Sequence, residues 1–335
     1  MEHSKSLLTG LDEPCLPSPP CSVSGTPDPW SRAEFLGKYS LTHDLLCKIS
    51  RDLVALARKA GEMITEADPS VENSKAKNNS SDRVTATDRA VEKMVHGHLS
   101  SLYPKYGFLG EETFKTGDLL SDEPTFICDP IDGTLSFIHG FPNVAVSLAL
   151  SIEKKPFVGV VFNPFRRELF TAIKWQGAFL TMGSDAPRRL PIAPVPRSMS
   201  SLEDCLVAME WGNQRSGPNW ELRTKMHKQL LTGKAEKGVM VHSVRSSGSA
   251  ALDLCYVAAG WMDVFWEGGA WAWDVAAGWC VLEEAGGMVV SANPADWEPS
   301  VEGRVYLGVR AGKRSEQEGV VRQVWEQMGE GRFVY

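Results

Sequence analysis

Apolar residues recur at helical spacing from Leu41 onward: Leu41, Leu45, Ile49, Leu53, Leu56, Ala60 and Ile64 fall on one face, with Arg51, Asp52, Arg58 and Lys59 largely on the other. The spacing predicts one long amphipathic helix. A polar stretch, 73–82, separates it from Val84-Thr85-Ala86-Thr87-Asp88, where Thr87 is placed to cap a second helix running to about 102, with Asp88 in its first turn. Strand-like runs follow at 125–128, 144–152, 157–162 and 168–173, punctuated by Gly and Pro, the pattern of an antiparallel sheet. Residues 183–200, rich in Pro, Ser and Gly, divide the chain into an N-terminal half, 39–190, and a C-terminal half, 191–335. The second half alternates helical stretches (220–231, 249–259, 272–285) with strands (262–266, 288–291, 305–309) and closes on a helix from about 315. The layout is α+β without internal repeats. Ahead of the first helix, residues 1–38 carry Pro14, Pro17, Pro19, Pro20, Pro27 and Pro29 among Ser and Gly. Such a composition buries too little apolar surface to offset the entropy of ordering, and predicts a flexible extension whose end Trp30 and Phe35 anchor.

Composition narrows the classes of function. The 335 residues are 43% hydrophobic, enough for a sizeable core. Net charge is -7 and no long Lys/Arg run exists, which argues against a nucleic-acid polymer as partner but leaves a small phosphate ester open where cations offset the repulsion. The seven cysteines are scattered and none forms a C-x-x-C pair, arguing against a disulfide framework or a zinc knuckle. No apolar run of about 18 residues is present, so no membrane span is expected and the expected compartment is the cytoplasm.

The chemistry centres on Asp129-Pro130-Ile131-Asp132-Gly133-Thr134. A strand ending at 128 delivers Asp129, Pro130 stiffens the turn, and Asp132 returns to the same side with the Ile131 carbonyl as a further oxygen. Oxygen donors of this kind suit magnesium, a hard ion held by a few carboxylates together with substrate phosphate. Two carboxylates so placed can serve two ions, with Asp129 shared. Gly133 and Thr134 then open a short turn or helix whose free N–H groups favour an anion. Taken singly, a D-x-x-D pair is more often a solvated turn, Glu111-Glu112 an exposed acidic pair, and Asp274 a cap for a helix starting near 276.

Taken together, Val84 to Asp88, Gly110-Glu111-Glu112, Asp129 to Thr134, Phe141-Pro142, Gly248-Ser249-Ala250-Ala251, Trp273 to Ala277 and Glu284 to Gly287 resemble, block by block and in order, the inositol monophosphatase family, over roughly residues 41–330. That family groups with the magnesium-dependent, lithium-sensitive phosphatases, and the chain is similar to its fungal members. The resemblance implies a layered αβαβα sandwich, usually dimeric, that hydrolyses inositol monophosphate. It implies Glu111, Asp129 and the Ile131 carbonyl as ligands of a first magnesium, Asp129, Asp132 and Asp274 of a second, and Asp88 near a third, weaker ion. Glu111 and Thr134 match the pair that positions the attacking water, with Asp132 completing the catalytic set. Substrate contacts are implied for Ile131, Gly133, Thr134, Ala250, Glu267 and Asp274, Glu267 accepting from the polyol hydroxyls. Lys77 matches a loop lysine near the metals.

The chain also departs from its relatives. Trp271 stands where better-known animal enzymes carry a smaller polar residue, Ser136 replaces a frequent Asn, and 211–220 is richer in Gly and Pro. These positions frame the pocket rather than the metal ligands, so two alternatives stay open: a phosphatase for another small phosphate, such as a 3'-phosphoadenosine nucleotide or a sugar phosphate, or a non-catalytic relative of the quinate-cluster type. Cys128, on the opposite strand face from Asp129, is read as core, and His96, His98, His139 and His242 receive no catalytic role.

Overall fold

The computed structural model describes residues 29–68, 74–76, 83–194 and 197–335. Of the extension expected at 1–38, residues 1–28 lie outside the described residues, while Pro29–Lys38 form helix α1. Proline is tolerated in a first helical turn, and the helix is fixed by burial of Leu36 and by Phe35, whose ring stacks on Phe157 at 5.3 Å and meets Trp175 edge-on. The predicted amphipathic helix is α2, His43–Glu66, capped by the Thr42 side chain, which accepts from the Leu45 N–H. It buries Leu46, Ile49, Leu53, Leu56, Ala60 and Ile64. Each fully buried aliphatic side chain of this stripe contributes roughly 1.5–3 kcal/mol relative to exposure.

Within the polar stretch, β1 (Ser74–Ala76) pairs antiparallel with β2 (Arg83–Thr85), and Lys77 lies outside the described residues. β2 hands over to α3, Ala86–Leu102, whose cap is Thr85 rather than Thr87. The reason is reciprocal bonding: the Thr85 side chain accepts from the Asp88 N–H, and the Asp88 carboxylate accepts from the Thr85 N–H.

A seven-stranded sheet follows in the order β3-β4-β5-β6-β7-β8-β9, comprising β3 (Gly107–Gly110), β4 (Thr125–Asp132), β5 (Ala145–Ile152), β6 (Lys155–Asn163), β7 (Glu168–Ile173), β8 (Gly177–Met182) and β9 (Arg188–Arg189). β3 and β4 are parallel and the rest antiparallel. Every residue of β4 and β5 is buried, as befits strands covered by helices on both faces. The short helix α4 (Thr134–Ile138) lies between them.

The second sheet has five strands, ordered β11-β10-β12-β14-β13: β10 (Leu206–Met209), β11 (Ser243–Arg245), β12 (Val264–Gly268), β13 (Met288–Val290) and β14 (Val305–Val309). Its helices are α5 (Gly217–Leu231), α6 (Ala250–Ala259), α7 (Ala272–Glu284) and α8 (Arg314–Met328). The layers are therefore α2 and α3, the seven-stranded sheet, α6 and α7, the five-stranded sheet, then α5 and α8. This is the expected αβαβα arrangement. The middle layer belongs to one contiguous core shared with both sheets, so α6 is buried along its whole length and α7 along most of its length. α7 sits close on β6 because Gly159 faces it: a Cβ there would come within 2.8 Å of the Cys280 Cβ and nearer still to the Ala277 carbonyl.

Candidate active site

The carboxylates meet where β4 loses its register. Asp129 pairs with Ser147 and Asp132 with Ala145, so β4 spends three steps where β5 spends two. This bulge falls at Pro130, which has no N–H to give the ladder, and at Ile131, whose N–H turns to Asp129 Oδ1 at 3.0 Å. The strand therefore runs on to Asp132 instead of ending at 128, and the kink brings Asp129 and Asp132 to one side. Gly133 then takes a left-handed conformation, φ 96°, with the Asn143 and Gly248 carbonyls 2.9 Å from where a Cβ would stand. Only glycine makes this turn into α4 without strain.

α7 supplies the third acid. The Ser147 hydroxyl donates to the Trp273 carbonyl at 2.9 Å and ties the start of that helix to β5. Asp274 is the third residue of α7 rather than the cap of a helix starting near 276, and it accepts from the Trp271 N–H at 2.6 Å. The carboxylate oxygens of Asp129, Asp132 and Asp274 lie within 4.8 Å of one another. Glu111 follows β3 directly, its N–H on the Cys128 carbonyl at 3.2 Å, and its side chain hydrogen-bonds Asp129.

Electrostatics follow from this crowding. Burial, then Glu111, Asp132 and Asp274, push the Asp129 pKa well above the usual carboxylate range. Asp132 is pushed up to about 7, mainly by burial, although the Ser249 hydroxyl at 2.6 Å and the Ala251 N–H at 2.7 Å, both at the start of α6, pull it down. Asp274 likewise rises to about 7, through burial and Asp132. On Asp274 the rise is opposed by hydrogen bonds from the Trp271 N–H and from Asp129 and by the charge of Arg304. A buried oxygen cluster so under-compensated is fitted to a hard cation.

Thr134 opens α4 and its hydroxyl lies 3.2 Å from Asp88 Oδ1 and 3.1 Å from the Ile131 carbonyl. Asp88 is fully buried, with its other oxygen on Thr85. The resemblance implies Asp88 near an ion and pairs Thr134 with Glu111; the fold adds a direct Thr134–Asp88 contact. Ala250 is buried at the head of α6. Glu267, on β12, is buried with Oε2 lacking a hydrogen-bond partner, and its pKa rises through burial, then Glu210 and Asp274. The two tryptophans divide: Trp273 is core, whereas Trp271 is 37% exposed and stacks on it at 5.1 Å, with Phe114 against both. Cys128 is core, His96 stacks on Phe108, and His98 bonds the Met94 carbonyl, all as expected of structural residues.

A sequence profile described as the inositol monophosphatase family matches residues 47–329. The chain belongs to the inositol monophosphatase family. It is 41% identical to inositol monophosphatase 2 of Saccharomyces cerevisiae over 292 residues, 85% of this chain and 96% of that protein. It is 39% identical over 302 residues to protein qutG of Emericella nidulans, covering 82% of this chain and 91% of that one. Among solved structures it is similar to the extragenic suppressor protein suhB of Bartonella henselae, with TM-score 0.68, 32% identity, and 85% and 100% of the two chains covered.

Several residues at the site escaped the sequence reading. Ser249 caps α6 and bonds Asp132, and a Ser ahead of an apolar helical run was a readable cap signal. Glu210 accepts from the Ser247 and Gly248 N–H groups and so braces the loop leading to Ser249. Asp253 is fully buried beside it, its carboxylate set against Ser247 and Glu210. Arg223, Arg304 and Tyr335 converge on Gly268 and Gly269, next to Glu267. No local pattern marks Glu210, Asp253, Arg223, Arg304 or Tyr335.

Proposed function

We propose that this chain is a phosphoric monoester hydrolase that converts inositol monophosphate to inositol and phosphate with magnesium. The observation that carries the reading is the convergence of Asp129, Asp132 and Asp274 within 4.8 Å, in a chain of this family. Glu111, Asp129, the Ile131 carbonyl, Asp132 and Asp274 would hold the ions, and Asp88 lies next to that set. When bound, magnesium would offset the repulsion of a phosphate dianion, acidify the attacking water and stabilise the leaving ester oxygen.

The protein's own groups divide the remaining work. Thr134, donating to Asp88, keeps its hydroxyl oxygen free to accept from a water, which orients that water for in-line attack. Asp88 and Glu111 are the carboxylates placed to receive its proton. The Gly133 and Thr134 N–H groups hold the phosphate, and the unpartnered Glu267 oxygen accepts from polyol hydroxyls with Ala250 against the ring. Retention of the whole acidic set disfavours a non-catalytic relative.

The fine context we propose is a homodimer in the cytoplasm. Cys128, Cys205, Cys255 and Cys280 are free and buried, which fits a reducing compartment, and no helix among the described residues is long and apolar enough to cross a membrane. Phosphate release from inositol 1-phosphate, measured with and without magnesium and beside 3'-phosphoadenosine 5'-phosphate and fructose 1,6-bisphosphate, tests the reading. Preference for either competitor would replace the substrate, and no turnover of any of them at saturating magnesium would sink the enzyme.

A further inference from the structure

The segment after α8 returns to the site and is held there by two amide clasps. Asn293 Nδ2 donates to the Phe333 carbonyl at 2.9 Å while its Oδ1 accepts from the Phe333 N–H at 2.8 Å. Asn219 does the same for Val334, at 2.8 and 2.9 Å. Phe333 is buried against Trp266, with ring centroids 4.8 Å apart, and lies directly over Gly268. Tyr335 is thereby delivered beside Gly269, where its hydroxyl would stand 2.6 Å from a Cβ.

Two arginines bind this segment to the strand that carries Glu267. Arg223, buried on α5, donates through Nη2 to the Gly268 carbonyl at 2.5 Å and to the Tyr335 hydroxyl at 2.6 Å. Arg304 donates to the Gly269 and Ala270 carbonyls, and its guanidinium lies 3.4 Å from the Trp271 ring centroid and 5.0 Å from that of Tyr335. Tyr335, Arg304 and Trp271 thus form one aromatic-cation stack along the loop from Glu267 to Asp274. Tyr335 and Trp271 are 47% and 37% exposed, as rim residues of a pocket would be.

We propose that Tyr335 is a specificity-determining positioning residue: with Arg304 and Trp271 it walls the polyol side of the pocket and fixes the Gly268-Gly269 turn that aims Glu267. This rests on the inositol phosphate reading above. It assigns Trp271 a function in selecting the organic part of the substrate. Asp274 ends this loop and accepts from the Trp271 backbone N–H, but the Tyr335 side chain bears on Gly269, Arg223 and Arg304, so the wall acts on ground-state and transition-state binding alike.

Steady-state kinetics of full-length Tyr335→Ala, Tyr335→Phe and wild type on inositol 1-phosphate and on glycerol 2-phosphate test this. The three-carbon ester is too small to fill the polyol side. Tyr335→Ala is expected to raise KM for inositol 1-phosphate about tenfold with kcat within about twofold, and to leave KM for glycerol 2-phosphate unchanged. Tyr335→Phe keeps the ring over Arg304 and restores most of the selectivity. Equal changes on both esters, or no change on either, overturn the proposal while leaving the phosphatase reading intact. Absence of wild-type turnover on inositol 1-phosphate overturns both. Thermal melts accompany each variant; if Tyr335→Ala melts early, Trp271→Ala takes its place, judged by the same ratio of KM values.

Discussion

The Thr134 hydroxyl meets the Asp88 carboxylate at 3.2 Å, across 46 residues of sequence, and joins the turn after β4 to the first turn of α3. Asp88 is itself held by the Thr85 N–H at 2.8 Å, so the acceptor is fixed before any water arrives. Asp88→Asn keeps the size and the cap but loses the charge that receives a proton. Turnover should fall by roughly 10²–10⁴-fold with little change in KM. A fall of less than threefold would show that Asp88 serves only as the cap of α3.

Asp132→Asn separates chemistry from folding. The substitution removes one of three clustered acids while the amide oxygen still accepts from Ser249 and Ala251. We expect loss of turnover by about 10³-fold or more, alongside an unchanged or higher melting temperature of the metal-free protein at pH 8, because a crowded buried charge has gone. Strong destabilisation in EDTA would mean that the Asp132 charge supports the fold.

The raised acids give the metal-free protein a particular pH dependence. Asp132 and Asp274 titrate near 7 in the folded chain, against about 3.9 for an unfolded aspartate, and Asp129 is raised in the same direction. Folding therefore takes up protons, and the stability these groups contribute is present in full below about pH 4 and is lost as pH rises through about 7. In EDTA the melting temperature should fall between pH 5.5 and 8. Magnesium should restore it at pH 8 and do little at pH 5.5, where protons compete for the same oxygens. A metal-free protein that melts higher at pH 8 than at pH 5.5 contradicts this assignment.

What the sequence made legible follows physical locality. Asp129 to Thr134 could be read because bulge, ligands and turn lie in six consecutive residues, and α2 because its burial period spans 24. The contacts that complete the site join residues far apart in sequence, such as Ser249 to Asp132 across 117 positions, and no local period reports them. β3 and β8 went unread because they are short and open on glycines. Phe333 and Tyr335 look like an ordinary tail until the clasps of Asn219 and Asn293 are seen.

Helix α7 packs closely on β6 where one position of that strand lacks a side chain. Gly159 faces the Ala277 carbonyl and Cys280, and its strand neighbours pair normally with β5 and β7, so the residue is needed for closeness and not for unusual backbone. Gly159→Ala must push α7 outward by some tenths of an ångström. Overpacking of this kind costs about 1–3 kcal/mol, which for a chain of this length lowers the melting temperature by several degrees. Because Asp274 rides on the first turn of α7, the same displacement should loosen the acidic cluster. The variant should therefore need more magnesium for half-maximal activity than wild type, measured below its melting transition. Lower stability with an unchanged magnesium requirement would show that the N-terminus of α7, held by Ser147, is positioned independently of the packing at Gly159.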